Sequence, residues 1–160
     1  MELFYQPQIN CNTYRLSGIE ALLRWNHPTL GRVSPSEFIP IAERSGFISE
    51  LGIWVLKTAC NQINEWKESG YKLPRVSINL SVRQFRDKQL GANIVNIIKD
   101  SNISFSSLTV EITESCVMDN PGKTIEILTF LRELGLKISM DDFGTGYSSM
   151  SHLKKLPLDQ

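Results

Sequence analysis

From residue 76 onward the chain alternates short apolar runs with longer amphipathic ones, and this rhythm limits the available folds more than any other feature. Val76 to Leu80 reads as a strand, Leu90 to Lys99 as a helix and Leu108 to Thr113 as a strand. Pro121 to Leu134 reads as a helix stopped by Gly135, and Lys137 to Asp141 as another strand. Short runs rich in Val, Ile and Leu suit buried strands. Intervening helical segments are crossovers long enough to lay successive strands parallel. A short helix is expected near Ser148 to Lys154, and Pro157-Leu158-Asp159 reads as the approach to a further strand. Strand-helix units of roughly 30 residues define an α/β fold with a parallel sheet, either open and doubly wound or closed into a barrel.

The first third of the chain departs from that rhythm. Leu3 to Gln6 and Ser17 to Leu23 read as strands around a polar turn at Asn10-Cys11-Asn12-Thr13. The connection is too short for a helical crossover, so the pair is expected to be an antiparallel hairpin. Ser34-Pro35-Ser36-Glu37 is a helix start, with Ser34 expected to cap, Pro35 at the first helical position and Glu37 completing a capping box. The next helix is expected over about Ser49 to Ser69, with Leu51, Trp54, Val55, Thr58, Ile63 and Trp66 as its apolar stripe and Gly70 as its stop.

The chain of 160 residues has no low-complexity linker or charge block to divide it, and is read as one domain. Lys and Arg together number 17, as do Asp and Glu, so no net charge draws it toward a nucleic-acid polymer or an anionic membrane. Cys11, Cys60 and Cys116 have neither metal-ligand spacing nor the pattern of a disulfide framework, which fits a reducing compartment. Met1-Glu2-Leu3-Phe4-Tyr5 lacks the basic start and apolar core of a signal peptide, and no apolar run reaches the roughly 18 residues of a membrane span. A cytoplasmic domain without membrane insertion is expected.

The polar residues help to choose between sheet and barrel. Glu20, Asn79 and Glu111 each interrupt an apolar strand, and Asp141-Asp142 ends the following one. In a (β/α)8 barrel, strand ends meet at one mouth, so residues at comparable places in successive strands share a site. Such a set is all oxygen and suits hard divalent cations, Mg²⁺ or Mn²⁺. Several carboxylates together also need a cation or a proton to offset their repulsion. Two ions about 3.5–4 Å apart can activate water and stabilise a phosphoryl transition state. Taken one at a time, the same residues can be an edge acid, a loop amide or an ordinary Asp-Gly turn. His27 and His152 are read as structural.

The ordered set of motifs identifies a resemblance. Ile19-Glu20-Ala21-Leu22-Leu23-Arg24-Trp25 resembles the signature of the EAL domain family. Tyr5-Gln6-Pro7, Ser36-Glu37-Phe38-Ile39-Pro40, Asn79-Leu80-Ser81, Glu111-Ile112-Thr113-Glu114 and the run from Asp141 to Ser149 resemble its other blocks, in order. The resemblance implies a TIM-like (β/α)8 barrel with an antiparallel first strand, of which this chain supplies about five strands and the approach to a sixth. It implies hydrolysis of cyclic di-GMP to linear pGpG with two Mg²⁺ or Mn²⁺ ions. It gives metal ligation to Glu20, Asn79, Glu111, Asp141 and Asp142, with Glu20, Asp141 and Asp142 catalytic in that capacity. Arg24 is expected to meet a substrate phosphate, Gln6 to line the groove, and Glu114 to anchor the loop from Phe143 to Ser149. The implied partners are cyclic di-GMP, a second copy in a homodimer, and a fused sensory or diguanylate cyclase-like domain.

The resemblance also implies more chain than is present. A Lys-Ile-Asp segment, whose lysine orients the attacking water in the family, is expected just past Gln160, so residues 1–160 are read as an EAL domain truncated at its C-terminus. Three readings follow: part of a cyclic di-GMP phosphodiesterase, which the full ligand set favours; a noncatalytic EAL module that binds the dinucleotide or a protein as a regulator; and a remnant without stable function. The 160-residue polypeptide alone is expected to have little activity.

Overall fold

The computed structural model describes residues 1–141 and 156–159. Two long strands, β1 (Glu2–Ile9) and β2 (Leu16–His27), form the expected antiparallel hairpin, with Gln6 opposite Glu20 and Phe4 opposite Leu22. Asn10 shapes the turn: its Oδ1 accepts from the backbone N–H groups of Asn12 and Thr13 at 3.0 and 2.9 Å, as a turn-forming Asx residue does. A three-residue strand absent from the sequence reading, β3 (Gly31–Val33), folds back on β2 and pairs Asn26 with Arg32. His27 makes this second hairpin, because its Nδ1 accepts from Thr29 N and Leu30 N, each at 3.2 Å.

Helices α1 (Pro35–Ser45) and α2 (Ile48–Glu68) follow, then β4 (Arg75–Leu80), a 3₁₀ turn over Val82–Arg86, and α3 (Leu90–Asp100). The chain continues through β5 (Leu108–Thr113), α4 (Glu114–Asp119), α5 (Pro121–Glu133) and β6 (Lys137–Asp141). The sheet order is β1-β2-β4-β5-β6, with β3 off this path and paired to the C-terminal end of β2; the pairings β2·β4, β4·β5 and β5·β6 are all parallel. This is the wall of a TIM-like barrel, partial in this chain. Asp159 also joins the wall. Its N–H donates to Ile138 O at 2.8 Å, and its carboxylate accepts from Ile138 N at 3.1 Å and Lys137 Nζ at 2.7 Å. Burial works to raise the Asp159 pKa, but the bonds from Lys137 and Ile138, with the Lys137 and Arg132 charges, hold it below the usual carboxylate range.

Two local expectations are corrected. Ser34 stands where the helix begins, but its side chain caps nothing; its hydroxyl pairs with Ser36 Oγ at 2.8 Å, and only its carbonyl receives the first helical N–H groups. The capping box forms instead at Ser81, whose Oγ accepts from Arg83 N while Gln84 Oε1 accepts from Ser81 N at 2.9 Å. The buried face of α2 is Ile48, Leu51, Leu56, Ala59 and Cys60, with Ile63 and Trp66 packed at its margin. Trp54 and Thr58 lie outside that face, and Thr58 Oγ1 spends its proton on Trp54 O at 2.8 Å.

The strand pleat sorts the sheet into two unlike faces. Ile19 and Ala21, then Val76, Ile78 and Leu80, then Leu108, Val110 and Ile112, and finally Ile138 point outward into a core with Leu56, Ala59, Ile98, Leu128 and Leu131 from the helices. The alternate positions, Glu20, Ser77, Asn79, Thr109, Glu111, Lys137, Ser139 and Asp141, line the inner face. The sequence reading placed one polar residue among apolar neighbours in each strand; the structure makes the whole inner face of β4, β5 and β6 polar.

Candidate active site

Glu20, Asn79, Glu111 and Asp141 arrive at one place because each occupies an inward position near the C-terminal end of its paired segment. In the β4·β5 register Asn79 stands opposite Glu111, and in β5·β6 Asp141 stands opposite Thr113, two residues beyond Glu111. Glu20 is opposite Ser77, and Asn79 Nδ2 closes the remaining step by donating to Glu20 Oε1 at 2.9 Å. Four side chains from four neighbouring strands thus share one mouth.

The electrostatics there are strained in a particular direction. Glu111 is 8% exposed. Burial first, and then the like charges of Glu20 and Asp141, push its carboxyl above the ordinary range, while hydrogen bonds from Ser77 and Gln8 pull it partly back. Gln8 reaches this position because its strand partner is Gly18: a Cβ there would overlap the Gln8 amide oxygen. A polar cavity of about 230 Å³ lies on the inner face toward the N-terminal ends of the strands, away from the mouth, with Gln8, Arg75, Ser77, Thr109, Lys137 and Ser139 in its wall. The sequence reading missed Gln8 and Ser77. Their signal was present, since each lies two residues from a named candidate, Gln6 or Asn79, and period two puts such residues on one face.

The other candidates fall around this centre. Gln6 is exposed on β1 directly across from Glu20. Arg24 lies on the same face of β2 four residues on, half-buried, with Nη1 donating to Leu23 O at 2.9 Å and its guanidinium over the Phe4 ring at 5.9 Å. Glu114 is buried in the first turn of α4, immediately beyond β5. A groove of about 360 Å³ leads from Asn79 past Arg24 to Pro35 and Ile39 and is mostly apolar in its walls. Asp142, the loop from Phe143 to Ser149, the helix expected over Ser148 to Lys154, and His152 lie outside the described residues. Burial pushes the Cys116 thiol up, and that of Cys60 up to about 11, so both are poor thiolate nucleophiles.

Among the described residues no three His, Cys, Asp or Glu side chains form a group ready to hold a metal ion. The donor chemistry nevertheless fits a hard cation: every inward group at the mouth is an oxygen donor, Asn79 supplies an amide in place of a fourth acid, and mutual repulsion already burdens Glu111.

The fold and site define a class: a parallel α/β barrel wall with carboxylates and an amide gathered at the C-terminal mouth. Within it, the chain belongs to the EAL domain family, whose model matches residues 1–160. It is 43% identical over 160 residues to the oxygen sensor protein DosP of Escherichia coli, covering all of this chain and 20% of that protein. It is 42% identical over 156 residues to the cyclic di-GMP phosphodiesterase PA2567 of Pseudomonas aeruginosa, covering 98% of this chain and 26% of that protein. The solved structure of PaMucR phosphodiesterase in complex with c-di-GMP superposes with a TM-score of 0.92 at 40% identity, covering 98% of this chain and 64% of that one. The chain therefore spans about a fifth to a quarter of the curated relatives' length. No helix among the described residues is long and apolar enough to cross a membrane.

Proposed function

We propose that residues 1–160 form part of a cyclic di-GMP phosphodiesterase domain that hydrolyses the cyclic dinucleotide to linear pGpG, with the rest of the barrel wall outside these residues. The observation that carries this reading is the convergence of Glu20, Asn79, Glu111 and Asp141 at one mouth, with Glu111 burdened by the charges of its neighbours. Likeness to proteins named as cyclic di-GMP phosphodiesterases supports the substrate.

In this reading Glu20, Asn79, Glu111, Asp141 and Asp142 hold two Mg²⁺ or Mn²⁺ ions. When bound, these supply Lewis-acid charge at the scissile phosphodiester and lower the pKa of a water. The chain's own residues do the remaining positioning. Asn79 fixes the Glu20 carboxylate through the 2.9 Å hydrogen bond, and Ser77 and Gln8 orient Glu111. Arg24 sets a permanent cation where a substrate phosphate approaches, and Gln6 faces the substrate from β1. The apolar groove beside Arg24 suits the flat face of a base. Water attacks phosphorus, the bridging ester oxygen leaves with a proton, and the ring opens to a linear dinucleotide carrying a terminal phosphate.

The test is conversion of cyclic di-GMP to pGpG by the full-length protein with Mg²⁺, followed by chromatography. Glu20→Gln, Glu111→Gln and Asp141→Asn should each lower turnover at least about a hundredfold. Full turnover by any of these variants overturns the assignment. The 160-residue polypeptide by itself should show little activity, and brisk conversion by it would refute the part-domain reading.

A further inference from the structure

The Phe4 ring carries two guanidinium groups. Arg24 stands 5.9 Å from its centroid and Arg32 5.1 Å. Neither makes an ion pair among the described residues, and their like charges oppose one another beside the ring they share. The ring quadrupole offsets part of that repulsion. The β2·β3 hairpin explains how Arg32 arrives. It pairs with Asn26, and Asn26 shares an inward face with Arg24, Leu22 and Glu20, so Arg32 projects to the site side of the sheet.

The position of the ring is what matters. The Cα of Arg32 lies level with a residue six beyond Glu20, roughly 20 Å along the strand. Its guanidinium, however, folds back over Phe4, which is the partner of Leu22, only two residues or about 7 Å from Glu20. The platform thus returns a distant cation toward the acid cluster and sets it beside Arg24. Phe4 remains 46% exposed, so anion and solvent can reach the stacked pair.

We propose that Arg32, held on Phe4 beside Arg24, is a second anion-contacting residue of the site and sets its affinity for a doubly charged cyclic dinucleotide. This rests on the phosphodiesterase reading above and deepens it. One arginine meets one phosphate; two, spaced by an aromatic ring, discriminate a ligand with two phosphates from one with a single charge. The platform makes this an arginine position in particular. A lysine keeps the charge but not the planar stack that aims it.

Equilibrium titration of full-length protein with cyclic di-GMP in Ca²⁺, at low and at physiological salt, provides the test. Arg32→Gln should weaken binding by about fivefold to tenfold and flatten its salt dependence. Phe4→Leu should give a smaller loss of the same kind, and Arg32→Lys should recover only part of the affinity. Affinity for 3′,5′-cyclic GMP, whose one phosphodiester carries a single charge, should change less than twofold in all three. Thermal midpoints of the variants must match the parent, as expected for exposed positions. If the parent binds and Arg32→Gln binds equally well with the same salt slope, the role of Arg32 is refuted while the phosphodiesterase reading stands. If the parent does not bind cyclic di-GMP at all, both fall together.

Discussion

Gly52, in the second turn of α2, should be a position where the usual rule for helix glycines reverses sign. Replacing an interior helix glycine with alanine ordinarily stabilises by about 1 kcal/mol. Here an added Cβ would overlap the Gln84 Nε2 and stand 3.0 Å from its Cδ. A flexible surface glutamine would swing away, but Gln84 is 4% exposed and tied to Ser81 N through Oε1 at 2.9 Å. Moving it dissolves the capping box, worth about 1 kcal/mol, and leaves the Ser81 N–H unsatisfied at a further cost of about 1–3 kcal/mol. The balance for Gly52→Ala is a net loss of about 1–3 kcal/mol, or roughly 2–12 °C in Tm for a domain of this size. Urea denaturation monitored by far-UV circular dichroism measures it. The decisive comparison repeats the substitution in a Gln84→Ala background, where it should stabilise by about 1 kcal/mol. If Gly52→Ala stabilises the parent protein as well, Gln84 is not pinned and the reasoning fails.

Two further outcomes follow from the site and its flank. A carboxyl held above its ordinary range burdens the fold wherever the unfolded chain would release the proton more readily: the cost is absent below the unfolded-chain pKa near 4.3, grows from there up to the raised value, and is constant above it. In EDTA, Glu111→Gln should therefore raise stability at pH 8, with the advantage shrinking toward pH 4. The same variant should lose the midpoint increase that Mg²⁺ gives the parent, and an unchanged Mg²⁺ response would count against ligation by Glu111. The Tyr5 hydroxyl is buried without a hydrogen-bond partner among the described residues. Burial first, then the nearby Glu65 charge, lift its pKa to about 12. Tyr5→Phe should keep the ring edge-on to Trp66 at 4.9 Å and leave stability equal or up to about 1 kcal/mol higher in calorimetry; a loss above that amount means the hydroxyl has a partner.

What the sequence made legible was the part written in long periods. The strand-helix alternation after residue 76 and the short hairpin before it both appear in the sheet order. The inward acids were visible because each broke an apolar run. Features decided by long-range contact were not. Three residues at Gly31–Val33 become a strand only because β2 extends to His27 and offers them a partner. Helix α4 follows β5 with no intervening loop, so no turn residue announces it. Ser34 and Ser81 are equally plausible caps by composition, and only the Gln84 amide beside Gly52 decides for Ser81. The buried stripe of α2 runs apart from Trp54 because bulk does not decide burial there: small Ala59 and Cys60 are fully buried, whereas Trp54 is exposed.

The two-faced sheet also bears on how such a barrel is assembled by a ribosome. Its apolar core lies outside the strands, against α2, α3 and α5, rather than down the barrel axis. Each crossover helix can therefore bury its stripe on the two strands it joins as soon as both have emerged, before any opposite wall exists. The wall gains stability unit by unit in the direction of synthesis, and the polar lumen waits in water at little cost until the last strands come round. Ring closure then becomes the step that completes the mouth, while the earlier steps have already secured the scaffold.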